Sequence, residues 1–77
     1  MDNKEASIHE ALAEAAYDAM YEATPAMGKH HYENACGNLA KAIEAARRAG
    51  VEIEVVRLTA RLDHIMSVFD HQFRGIG

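Results

Sequence analysis

The chain holds one cysteine, one proline and no tryptophan in 77 residues. A single thiol, Cys36, excludes an internal disulfide and fits a reducing compartment. No run of about eighteen apolar residues occurs, so no membrane-spanning helix is expected. The opening MDNKEASIHE lacks the basic and apolar regions of a secretory signal, and a cytoplasmic location is expected. Basic residues are also few: 8 against 12 acidic ones leave a net charge of −4, which argues against a duplex nucleic-acid partner. Large apolar side chains are scarce as well. Apolar residues make up 49% of the chain, but fifteen are alanine and only nineteen are Val, Ile, Leu, Met or Phe. At about 25 cal/mol per Å² of buried apolar area, such a core lies near the threshold for a stable fold. Self-association as a homo-oligomer is expected to supply the remainder.

What is present reads as helix throughout. Breakers at Thr24-Pro25, Gly28, Gly50 and Gly75 divide one 1–77 domain into three helical stretches. The first spans about Ser7 to Ala23, where Ser7 and Glu10 have capping-box spacing. Ile8, Leu12, Ala15 and Ala19 form its core-facing stripe, and Glu10, Glu14, Asp18 and Glu22 form an acidic one. His9, Ala13, Tyr17 and Met20 occupy a third side. The second stretch begins near Pro25 or Lys29, with Thr24 as N-cap and Pro25 in the first helical position. Its seam is Tyr32, Cys36, Leu39, Ile43, Ala46 and Gly50, flanked by Ala35, Ala42 and Ala49, which permit close approach. Arg47 and Arg48 suit the last turn, and Gly50 a C-terminal stop.

In the third stretch, Val51–Val55 alternates apolar and acidic residues, a strand signal. The longer register of Val51, Val55, Leu58, Leu62, Ile65, Phe69, Phe73 and Ile76 predicts a helix instead. The expected fold is therefore all-α: an antiparallel helical hairpin with a short N-terminal helix packed across it. Ile53, Val56, Ala60 and Val68, with His64 and His71 near them, lie away from the main seam. That spare apolar surface is read as an interface.

Five histidines invite a metal reading, but neither His-x-x-x-His nor Glu-x-x-His occurs. His30 and His31 diverge by about 100° on a helix, and His64 and His71 stand roughly 10 Å apart along its axis. Asp63-His64 and Asp70-His71 point in different directions, Ser67 lies in no nucleophile elbow, and Cys36 falls on the apolar seam. No enzyme, cofactor or metal is expected. The stretch from His30 to Leu39 faintly resembles the histidine phosphotransfer motif, with departures at Glu33 and Asn34.

A softer constellation remains. Tyr17 and Tyr21 could stack on bases, Thr24 and Lys29 sit where a helix N-terminus suits anions, and Arg57 and Arg61 lie one turn apart on one face. Tyrosines at an interface and an Arg57–Glu54 pair are the alternative account of the same residues.

The short first helix, Pro-containing turn and long helical hairpin resemble the phage anti-CBASS cyclic-nucleotide sponges. The resemblance implies a hexamer holding cyclic di- or trinucleotides between protomers. It implies Tyr17 or Tyr21 as the stacking residue and Thr24 and Lys29 as phosphate ligands; charge neutralisation by Arg57 or Arg61 is expected from their residue type and position alone. The function expected on this basis is sequestration of a cyclic nucleotide without turnover. The runner-up is a small inhibitor or antiactivator of a protein target, bound through the acidic stripe Glu10, Glu14, Asp18 and Glu22.

Overall fold

The computed structural model describes residues 4–22 and 24–71. Among them are three helices and no strand: α1 (Lys4–Glu22), α2 (Pro25–Arg48) and α3 (Glu52–Phe69). The molecule extends 44 Å along one axis and no more than 17 Å across it, as expected of helices lying alongside one another. No helix among the described residues is long and apolar enough to cross a membrane.

Local chemistry sets the element boundaries. Thr24 is extended (φ −64°, ψ 162°), and its Oγ1 accepts from the Met27 N–H at 3.4 Å, so α2 starts at Pro25. Gly28 does not break the chain; it is buried inside the first turns of α2. At the other end, the Gly50 N–H donates to the Arg47 carbonyl and the Val51 N–H to the Ala46 carbonyl, at 3.1 and 3.0 Å. This paired closure needs a left-handed residue, and Gly50 supplies it with φ +75°. Val51–Val55 is helical from Glu52 onward, so the alternating pattern there is not a strand. Ser7 is not a cap either, because the helix already exists at Lys4. Ala23, Phe73, Gly75 and Ile76 lie outside the described residues.

α2 and α3 pack as the sequence pattern predicts. Leu39, Ile43 and Ala46 meet Val55, Leu58 and Ile65 in one buried cluster, with Tyr32, Cys36 and Leu62 at its margin. Tyr32 stacks on Phe69 with ring centroids 3.9 Å apart, joining the start of α2 to the end of α3. The expected short first helix has 19 residues, one more than the 18 of α3. It follows α2 in the opposite direction: Glu5 reaches Arg48, and His9 Nδ1 donates to Asn38 Oδ1 at 3.2 Å.

The buried side of α1 differs from the expected one. Ala6, Ala13, Ala16 and Met20 are buried, while Ile8 and Leu12 remain 53% and 50% exposed and Ala15 faces solvent. The reason is steric. Ala35, Ala42 and Ala45 of α2 are buried without bulk beyond Cβ, so an alanine-lined side of α1 can approach closely where a leucine-lined side would be held off. The many van der Waals contacts of a close backbone approach replace the burial of two large side chains.

Enlarging this contact is expected to be costly. Ala13→Leu should destabilise by about 1–3 kcal/mol through overpacking, whereas Ala40→Leu, on the solvent side of α2, should stay within about 0.5 kcal/mol of wild type. Urea denaturation followed by circular dichroism measures both.

Candidate functional site

With Ala6, Ala13 and Met20 turned onto α2, the neighbouring side of α1 is presented to α3. Glu10 and Glu14 lie one turn apart on that side, and Arg57 and Arg61 lie one turn apart on α3. The two helices run parallel at a constant offset, and the pairs meet as rungs. Arg57 donates to both Glu10 oxygens, Nη1 at 2.7 Å and Nη2 at 2.8 Å. Arg61 donates to both Glu14 oxygens, Nε and Nη2 each at 2.7 Å. Arg57 also bonds Glu54 on its own helix, as the alternative sequence account held. Two-point pairing is the strong geometry for a guanidinium and a carboxylate.

These contacts tune the charges. The Arg57 hydrogen bond, with the Arg57 and Arg61 charges acting over distance, holds Glu10 below the ordinary carboxylate range despite partial burial. Glu54 is lowered by the same Arg57 hydrogen bond. In return Glu10, then Glu54, raise Arg57, and Glu14 raises Arg61. In this arrangement both arginines are engaged by carboxylates.

The tyrosines form the next rung. Arg61 lies over the Tyr17 ring, 4.9 Å from its centroid, a cation–π contact. Tyr17 and Tyr21 meet edge to face at 5.3 Å, with hydroxyls 2.9 Å apart. Withdrawal from water, then the hydrogen bond to Tyr21, pushes Tyr17 up to about 12. Tyr21 keeps 47% of its surface exposed. Thr24 caps α2, and Lys29 is exposed in the opening turns of that helix, at the same end of the bundle. Of the six candidate ligand residues, Tyr17, Tyr21, Thr24 and Lys29 therefore share one end. Arg61 is bound to that group through Tyr17, and Arg57 sits a turn away against Glu10 and Glu54.

The remaining candidates separate. His9 serves the α1–α2 contact through Asn38, whose Nδ2 in turn donates to Asn34. His30 and His31 contact each other edge-on at 5.6 Å. His64 and His71 line an open groove of about 260 Å³ with Ser67 and Val68. Among the described residues no three metal-capable groups converge. Burial pushes the half-buried Cys36 thiol up, away from the reactive thiolate form. No family model, curated protein or solved structure matches the chain.

The rungs were the feature that sequence reasoning missed. Their signal was present: two acids four apart on one helix and two arginines four apart on another. Periodicity alone points the acids to solvent or a partner and the arginines to a ligand, whereas the fold pairs them with each other.

Two outcomes follow. A double-mutant cycle on Arg61 and Glu14 should give a coupling of up to about 1 kcal/mol, smaller at high salt. Because Glu10 is lowered in the folded chain, its stabilisation is complete above the ordinary carboxylate value of 4.5 and is lost as pH falls through the folded value. Wild type and Glu10→Gln should therefore differ in stability near neutral pH and converge in strong acid, as read by thermal melts across pH.

Proposed function

We propose that this protein is a non-catalytic helical binding module that engages a protein partner along the outer side of α3. One observation carries the reading. Ile53 and Val56 are 76% and 64% exposed, and exposed Ala60 follows one turn later, on the side of α3 opposite Val55, Leu58 and Ile65. A contiguous apolar stripe on so small a surface is characteristic of a docking site, and it suits recognition of a groove or a helix by anchors at helical spacing. An inhibitor or antiactivator of the anti-defence type is the corresponding role. The acidic stripe supports this role less than the sequence suggested. Glu10 and Glu14 are taken up by Arg57 and Arg61, leaving Asp18 and Glu22 exposed.

A second reading, sequestration of a cyclic nucleotide, rests on a different observation. Tyr21 is half-exposed beside Tyr17, with Thr24 and Lys29 at the same end of the bundle. A ring for stacking and a cation for phosphate are the minimum for such a ligand. Arg57 and Arg61 would join it only by leaving their carboxylates, so Lys29 carries the charge in this reading.

Ile53→Asp together with Val56→Asp should abolish capture of a host protein by the immobilised chain while leaving its helical spectrum unchanged. Lys29→Glu should leave that capture intact. If native mass spectrometry instead shows uptake of cyclic di- or trinucleotides that Lys29→Glu abolishes, the second reading replaces the first.

A further inference from the structure

The outward stripe of α1 has a symmetry that the stripe of α3 lacks. Ile8, Leu12, Ala15 and Ala19 are separated by 4, 3 and 4 residues, a spacing that reads the same in both directions. At about 100° per residue they fall within about 60° of one another on the helix. Large residues occupy one half and alanines the other. Laid antiparallel on a copy of itself, the stripe sets Ile8 against Ala19 of the second copy and Leu12 against Ala15, in both directions. Each bulky side chain then meets an alanine, the large-to-small match that lets two helices interdigitate.

The charges agree with that direction. Lys4 and Glu22 are 18 residues apart, five full turns of about 3.6 residues, and so lie on the same flank of the stripe at opposite ends. Both are exposed, and neither takes part in an ion pair among the described residues. Antiparallel pairing brings Lys4 of each chain to Glu22 of the other. Parallel pairing would bring opposite flanks together, leaving Glu22 with no cation and Lys4 facing Glu5. Glu5 lies on the other flank and is held by Arg48 of its own chain. The outer side of α3 fits no such self-pairing, because an antiparallel copy would lay its apolar half, Ile53 to Ala60, over the half carrying His64, Ser67 and His71.

We propose that the protein forms a homodimer through α1, packed antiparallel on α1 of a second copy about a two-fold axis near residues 13 and 14. The occupant is a second copy because the stripe is complementary to itself in size and in charge. The ion pairs select direction more than they add affinity. Two helices of this length meeting through alanines bury less than the roughly 1,200 Å² of a standard interface, so the dimer dissociates on dilution. The contact is independent of the α3 face assigned to a partner.

Sedimentation velocity of the full chain over a wide concentration range tests this. A monomer–dimer equilibrium is expected, and Leu12→Glu should shift it to monomer without changing the helical spectrum, since Leu12 lies outside the core. Lys4→Glu alone and Glu22→Lys alone should each weaken the dimer several-fold, and the two together in one chain should restore it. Ile53→Asp with Val56→Asp should leave the dimer intact. A wild type that stays monomeric at every concentration, a dimer indifferent to Leu12→Glu, or a double charge swap that fails to restore association would overturn the proposal.

Discussion

The rotational setting of α1 on α2 governs the arrangement of everything else in this protein. The contact is made by Ala6, Ala13, Ala16 and Met20, against a side of α2 that buries Ala35, Ala42 and Ala45. Apart from Met20, which is fully buried, the contact is made by alanines of little hydrophobic area, so the rest of its energy comes from close approach and the number of atoms brought together. Turning α1 by roughly 100° would bury Ile8 and Leu12 instead. It would also wedge two large side chains between helices shaped for small ones and carry Glu10 and Glu14 away from α3.

With α1 set in this way, electrostatics closes the third side of the bundle. α2 touches both other helices through apolar residues, while α1 and α3 are joined by Arg57–Glu10, Arg61–Glu14 and the Arg61–Tyr17 contact. Exposed ion pairs contribute little stability one at a time. Their effect here is on register: two rungs with one offset fix how far α3 can slide along α1. The same pairing relieves the like-charge repulsion built into the upper half of the acidic stripe. It also neutralises both arginines, leaving Lys29, at the same end of the bundle as the tyrosine pair, as the exposed cation among the residues expected to hold an anion.

The apolar surface left outside is a consequence of the same geometry. A chain with nineteen large apolar residues would be expected to bury them before its alanines. Instead the two outer helices each present a stripe to solvent, because their inner sides are occupied by closer contacts. The stripes differ in kind. That of α1 is short, symmetric and bordered by opposite charges at its ends, whereas that of α3 runs from apolar to polar along its length. The two proposed contacts, with a second copy and with a different molecule, thus draw on separate surfaces.

Much of the fold was legible from local chemistry. Thr24-Pro25 marked a helix start, Gly50 a left-handed stop, and the period of Val55, Leu58, Leu62, Ile65 and Phe69 the buried side of α3, because caps, turns and periodicity depend on neighbours a few residues away. The seam of α2 was readable at Leu39, Ile43 and Ala46 with Ala35 and Ala42, though Ala49 and Gly50 are exposed and Ala45 is buried, and the exposed outer side of α3 was readable too. The buried side of α1 was not. Its most hydrophobic stripe, Ile8 and Leu12, is the exposed one, since side-chain hydrophobicity says what gains from burial but not which surface a neighbouring helix can approach. The partners of Arg57 and Arg61 lie 47 residues away on another helix, a juxtaposition that exists only once α1 has been turned by its alanines. The sequence by itself determined where helices begin, end and carry charge. Only the tertiary structure, through steric fit between α1 and α2, decided which side of α1 meets the core, which charges pair and which apolar residues remain exposed.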